Sequence, residues 1–343
     1  MRFSLSEFRL PVLAVGVGAV VAVGGIGLLT LIALITNLSY HGEMSAHEAV
    51  PDFSSWGMWA ILVPAIGGLL VGLIARFGSP DVRGHGIPEA MQGVMTKQSR
   101  IPLRVAILKP LASAISIGTG GPFGAEGPVI ATGGAIGSLF GQWIPSSTVE
   151  RKILLAAGAA AGMTVAFGTP LAGLLLSIEL LLFEFRSRSF IPVAIATAAA
   201  MTVRTCFGEP FPMLPMVASA APGPVLAGGS VLIGMAAGLV AVGITHALHS
   251  IEHVFEKLPI HWMWWPALGG LAVGIFGWID HRTLGPGYQN LRALLEGHMA
   301  LTALVTLVVF KFLSWAICLG SGTSGGTVAP IMTIGGGVGA VVA

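Results

Sequence analysis

The segment Gly124-Ala125-Glu126-Gly127-Pro128 sets one carboxylate among glycines inside a long apolar stretch. An acidic side chain at membrane depth costs about 2.5–3.5 kcal/mol to insert, so it is usually retained for a task. The neighbours indicate the task. Gly118, Gly120, Gly121, Gly124 and Gly127 leave backbone N–H groups uncovered. Pro128 suits the first turn of a helix, where its missing N–H is no loss. Bare amides at a helix N-terminus favour negative charge, through both their free donors and the helix dipole. A carboxylate placed there is a tethered anion. It fills the site when ionised and leaves it on protonation. The plainer reading of Glu126 is a structural carboxylate bonded to nearby amides; its glycine-rich half-helix setting favours the gate.

The elements around this segment read as membrane helices. Of 343 residues, 54% are hydrophobic and 9% charged, with a mean hydropathy of +0.87. Soluble domains carry about 25% charged residues. The 49 glycines sit inside apolar runs, where small residues let helices pack closely. A net charge of +2 with no basic, aromatic-interleaved face excludes nucleic acid as a partner. Cys206 and Cys318 lack metal-ligand spacing and read as packing residues. The apolar run from about residue 10 to 35 is too long for a signal-peptide core and is expected to span. Eleven apolar segments centre near residues 22, 67, 110, 136, 158, 177, 197, 235, 272, 308 and 335. Several fall short of the ~20 residues a span needs. Short, Gly/Pro-interrupted segments are the sign of half-helices meeting near the bilayer midplane. The fold class is therefore all-α, a polytopic membrane protein with broken helices. Trp262, Trp264 and Trp265 read as an interfacial belt.

A repeat runs through the chain. Pro64-Ala65-Ile66-Gly67-Gly68-Leu69-Leu70-Val71-Gly72 matches Pro266-Ala267-Leu268-Gly269-Gly270-Leu271-Ala272-Val273-Gly274 at an offset of 202 residues (64 to 266). At the same offset Lys109 meets Lys311, Gly124 meets Gly326, Pro128 meets Pro330, and Gly133, Gly134 and Gly137 meet Gly335, Gly336 and Gly339. The expected division is a first repeat over 1–210 and a second over 211–343. The second copy is shorter, so about 65 further residues are expected beyond it. Paired repeats with broken helices put the substrate site at their interface.

These residues carry a resemblance to the CLC family of chloride channels and proton-coupled chloride antiporters. Gly84-His85-Gly86-Ile87-Pro88 resembles the family's G-S-G-I-P, and Gly124-Ala125-Glu126-Gly127-Pro128 its G-R-E-G-P. Gly325-Gly326-Thr327-Val328-Ala329-Pro330 resembles G-G-x-F-x-P, and Thr169-Pro170-Leu171-Ala172-Gly173 with Ile178-Glu179 resembles its N-A-P-L-A-G helix. The likeness covers essentially the whole chain. It implies an inverted repeat, a homodimer with one pore per subunit, and a gating glutamate at Glu126. It also implies an anion site formed by His85, Gly86, Ile87, Pro88, Gly127, Thr327, Val328 and Ala329. Chloride or another small anion would be the substrate, with no cofactor or metal, in a multi-pass bacterial inner or plasma membrane protein surrounded by lipid.

The departures bear on mechanism. The family serine of the central site is His85, the Arg before the glutamate is Ala125, and the Phe is Val328. The family's site tyrosine is expected in a late helix beyond this chain. His85 reads either as a proton-sensitive anion ligand or as a neutral donor packed on carbonyls. Antiporters of the family carry a second glutamate directly after the position of Glu179; here that residue is Leu180. Glu179 reads as structural, and Ser324 as a helix cap or a pore-lining residue. Glu184, four residues beyond Leu180, is a substitute proton station on the same helix face, although Arg186 and Arg188 mark it as an ordinary rim charge. No nucleophile elbow, zinc helix or P-loop appears in context, so the chain is not expected to be an enzyme. Channel-like anion conduction is the first expectation, proton-coupled antiport the second, and a non-transporting membrane subunit a distant third.

Overall fold

The computed structural model describes residues 5–53, 56–208, 214, 223–297 and 299–342. The expected repeat boundary at 210/211 lies outside them. Among the described residues the chain is helical, with only two isolated backbone bridges of β type. Eight helices precede position 209: α1 (Leu5–Thr36), α2 (Leu62–Leu73), α3 (Ile87–Thr96), α4 (Leu103–Gly118), α5 (Glu126–Trp143), α6 (Thr148–Phe167), α7 (Pro170–Ser177) and α8 (Ser187–Cys206). Five follow position 222: α9 (Pro224–Glu256), α10 (Trp265–Ile279), α11 (Tyr288–Leu295), α12 (Leu301–Gly320) and α13 (Val328–Val342). Each of the eleven expected segment centres falls on a helix. α3 and α11 were not expected, because each is short and too polar to stand out in hydropathy.

Six helical stretches among the described residues are long and apolar enough to cross a membrane. One of them, Gly228–Glu256 in α9, turns Val231, Leu232, Met235, Leu239 and Val242 outward. The protein is a multi-pass integral membrane protein. Its core forms where glycine lets backbones touch. α5 crosses α6 so closely that a Cβ on Gly133 would meet the Gly158 carbonyl, and one on Gly158 would meet the Gly133 carbonyl. Close approach of this kind is how helices associate where hydrophobicity gives no drive. A Cβ on Gly18 of α1 would likewise meet the Ala196 carbonyl of α8. Ala196 is thus covered within the chain and Ala200 is buried too, whereas Ala198 on the same helix is exposed.

The offset of 202 residues reappears as symmetry of contact. In α2 and α10, Gly68 faces the Pro266 carbonyl and Gly270 the Pro64 carbonyl; Gly72 faces Met263 and Gly274 faces Ile61. Both members of every pair are related by the same offset, as a two-fold axis between the copies requires. Gly124 and Gly326 exchange backbone hydrogen bonds, N to O at 3.0 Å and 2.9 Å, and so mark that axis. α5 begins two residues after Gly124 and α13 two residues after Gly326, so the two helix N-termini meet there.

The repeated lysines hold the loops that lead into α3 and α11. Lys109 Nζ donates to the carbonyls of Asp81 (3.4 Å) and Arg83 (3.2 Å). Lys311 Nζ donates to Thr283 (2.9 Å) and Gly285 (2.6 Å), the positions at the same offset. Arg83 is stacked on Trp262 and Trp265, at 5.0 and 5.7 Å from the ring centroids. Two of the three tryptophans read as a belt therefore brace the repeat interface, and Trp264 alone is exposed. Cys318 is buried, Cys206 exposed, and both are free.

Candidate functional site

Glu126 is the first residue of α5 and is fully buried, with 0% exposure. Its carboxylate folds back over Gly124: a Cβ on Gly124 would lie 2.6 Å from Oε1 and closer still to Oε2. A Cβ on Gly326, across the axis, would lie 3.1 Å from Oε2. Glycine at both positions makes the room this carboxylate occupies. The backbone amides of Glu126 and Ala329, at the heads of α5 and α13, face it. Two helix N-termini thus converge on one negative group, which is the electrostatic setting of an anion site. Oε2 accepts no hydrogen bond among the described residues.

Oε1 has a partner that sequence reasoning missed. The Tyr288 hydroxyl donates to it at 2.7 Å, from the first residue of α11. The site tyrosine was expected outside this chain, yet the second repeat supplies one from a different helix. A signal existed. The offset of 202 carries Gly84–Pro88 onto Pro286–Asn290, so the counterpart of the first motif had to arrive at the same axis.

The other expected residues divide. Gly127 is buried against the His85 carbonyl and lies next to Gly326, so the first, second and third motifs do meet. Gly84 is bridged to Ser324 in parallel, which ties the first motif's loop to the third's. Ser324 also shares a hydrogen bond with Ser113 at 2.8 Å. Thr327 and Val328 are half-buried and Ala329 is buried at the head of α13. Gly86 adopts φ +97°, which a Cβ resists, and its N–H is already taken by Glu89 Oε2 at 2.7 Å. It caps α3 and is not a free donor to an anion. Ile87 is half-buried, and Pro88 is exposed and has no N–H to offer. The His85 side chain is half-buried, in the field of Glu89, Lys109 and Glu252.

Glu184 stands apart. Its Oε1 accepts from Ser189 Oγ at 2.6 Å at the start of α8, with Arg186 Nε 3.6 Å from Oε2. Leu180 packs half-buried against the core. On the Tyr288 side, a cavity of about 330 Å³ reaches Ala125 and is lined by Glu48, Arg204, His281, Arg282, Tyr288 and Arg292 among others. At its rim Arg282 grips Asp280 at 2.6 Å. Burial works against ionisation of Asp280, but the bonds from Arg282 outweigh it and hold the carboxyl below the usual carboxylate range.

A buried carboxylate at the meeting point of two half-helices, in an inverted repeat of membrane helices, defines an anion-handling membrane protein. Residues 67–343 match the family described as "Voltage gated chloride channel", and the chain belongs to that family. It is 30% identical over 328 residues to the voltage-gated ClC-type chloride channel ClcB of Shigella flexneri, covering 94% of this chain and 76% of the relative. It is 28% identical over 312 residues to chloride channel protein CLC-e of Arabidopsis thaliana, covering 84% of this chain and 42% of that one. Among solved structures, a slow cyanobacterial Cl⁻/H⁺ antiporter superposes with a TM-score of 0.84 at 23% identity, over 95% of this chain and 77% of that one. A CLC-type fluoride/proton antiporter superposes with a TM-score of 0.81 at 18% identity, over 97% and 80%. Both likenesses support the fold.

Proposed function

We propose that this protein moves chloride across the membrane through a CLC-type pore gated by Glu126, in a channel-like manner. The observation that carries the reading is the Glu126 carboxylate seated over Gly124 and Gly326, where the N-termini of α5 and α13 converge. An ion held there has the same electrostatic support as the carboxylate, so the two compete for one place. Gly127, Thr327, Val328, Ala329 and the His85 loop form the surroundings of that place. Chloride is favoured because the curated relatives are chloride channels by name. Channel-like movement is favoured because the inner station is Leu180 and Glu184 is engaged by Ser189. The purified chain in liposomes with an outward chloride gradient should release chloride when a potassium ionophore balances charge. Absence of any efflux would favour a non-transporting subunit.

Proton-coupled antiport is the second reading. Two structural neighbours are described as proton antiporters. Glu89, which lies 3.5 Å from Lys109 Nζ, lines a cavity of about 50 Å³ beside the His85 loop and offers a protonatable group there.

The repeats are proposed to divide as 1–210 and 211–343, and the protein to be a homodimer. The face proposed for the partner holds Leu171 of α7 with Ala194 and Ala198 of α8, around a groove of about 490 Å³. An Ala198→Cys variant should form a disulfide-linked dimer on mild oxidation in membranes, whereas Ala196→Cys, buried against α1, should not. Equal cross-linking of both, or of neither, would count against this face.

A further inference from the structure

Among the described residues, Tyr288 is the side chain that hydrogen-bonds the Glu126 carboxyl. It also lines the 330 Å³ cavity, whereas Glu126, with 0% exposure, does not. Ala125, the chain neighbour of Glu126, and Tyr288, its hydrogen-bond partner, both line that cavity. We propose that Tyr288 is a positioning residue for the gate: its hydroxyl latches the Glu126 carboxylate over Gly124, and its ring closes the cavity-side approach. This rests on the reading of Glu126 as the gate.

The latch is rigidly mounted. α11 starts after Gly287, whose φ of +77° suits glycine. The preceding loop is tied by Lys311 Nζ to the Gly285 carbonyl at 2.6 Å. Asn290 Nδ2 donates to the Arg282 carbonyl at 2.7 Å, and Arg282 is itself held by Asp280. Three fastenings thus fix the backbone from which the phenol projects. Its bond to an ionised carboxylate is charge-assisted and roughly twice as strong as a bond between neutral groups. Protonation of Glu126 removes that advantage, so the latch loosens in the state in which the carboxyl leaves. Other charged groups face Tyr288 and the cavity: Glu48 from the segment before α2, Arg204 from α8, His281 and Arg282 from the turn after α10, Arg292 on α11, and Lys311 from α12. The head of α13 faces Glu126 with the Ala329 amide and no titratable side chain. His281 can also change charge near neutral pH, so a pH effect counts for the latch only if it requires Glu126.

The test measures chloride efflux from liposomes between about pH 4.5 and 8, for the full chain and for Tyr288→Phe, Glu126→Gln and the double variant. Tyr288→Phe removes one hydroxyl and keeps the ring. The expected result is roughly tenfold higher flux at pH 7, with the midpoint of acid activation moved up by about one pH unit. In the Glu126→Gln background the same change should have no effect. The high flux retained there also reports that Tyr288→Phe leaves the pore folded. Wild-type flux and pH profile in Tyr288→Phe, with flux raised in Glu126→Gln, would overturn the latch and leave the gate standing. Unchanged flux in Glu126→Gln would overturn the gate itself. Loss of flux in the double variant would make Tyr288 a structural residue and also overturn the latch.

Discussion

Glu126→Gln raises chloride flux at pH 7 by about tenfold or more and removes its dependence on pH. The amide keeps the length and shape of the side chain but carries no charge. The ionised carboxylate sits where two helix N-termini converge, and each terminus stabilises an anion by about 0.3–1 kcal/mol, up to about 2 in buried geometries. Removing that charge frees the place for the permeant ion; each 1.4 kcal/mol is a factor of ten in occupancy. In the wild type, falling pH should raise flux, because protonation neutralises the tethered anion. Stopped-flow or electrode-monitored efflux from liposomes between about pH 4 and 8 measures both effects, the window covering the ordinary titration of a carboxyl near 4.3 and a wide margin above it. Equal flux and equal pH dependence in the two proteins would show that Glu126 gates nothing.

Two glycines three residues apart should respond in opposite ways. Gly124→Ala places its methyl against the Glu126 carboxylate. That carboxylate is the far end of a flexible side chain, so it moves aside while the backbone stays. Flux should rise toward that of Glu126→Gln, with little loss of folded protein. Gly127→Ala places its methyl against the His85 carbonyl and 3.0 Å from the Gly326 Cα. Both are backbone atoms on opposite sides of the repeat interface, and neither can yield without separating the loops that Gly84 and Ser324 join. Overpacking of this kind costs about 1–3 kcal/mol or more. Yield of monodisperse protein and chloride flux should both fall. A Gly124→Ala protein with wild-type flux would mean that the carboxylate does not rest over Gly124.

Much of this arrangement was legible in residue order, for identifiable reasons. Glu126 stood out because a charge inside an apolar run is expensive. The two copies stood out because Lys109 and Lys311, and Pro128 and Pro330, shared one offset with the glycines. The structure explains why those glycines recur: Gly68 and Gly270, Gly72 and Gly274 face carbonyls across the axis, where a Cβ has no room. Helices α3 and α11 were illegible because they are short, and hydropathy reports length and apolarity together. Tyr288 was lost with α11, although the repeat offset pointed to its segment. Gly86 entered the anion site through the motif resemblance alone; its amide is capped by Glu89 three residues on, a pairing visible in sequence as a helix start. Along α8 the alanines divide: Ala196 packs on Gly18 of α1 and Ala200 is buried, while Ala198 is exposed. Composition cannot tell which side of a small-residue helix is already covered.

Channel-like movement past a Glu126 gate leaves Leu180 at the inner position, where coupling would need a protonatable group. Its most direct test is the reversal potential of the wild-type protein in a planar bilayer under opposed chloride and pH gradients. Reversal is expected at the chloride equilibrium potential, unmoved when the pH gradient is inverted. A reversal potential that shifts with the pH gradient would contradict it and establish proton-coupled exchange.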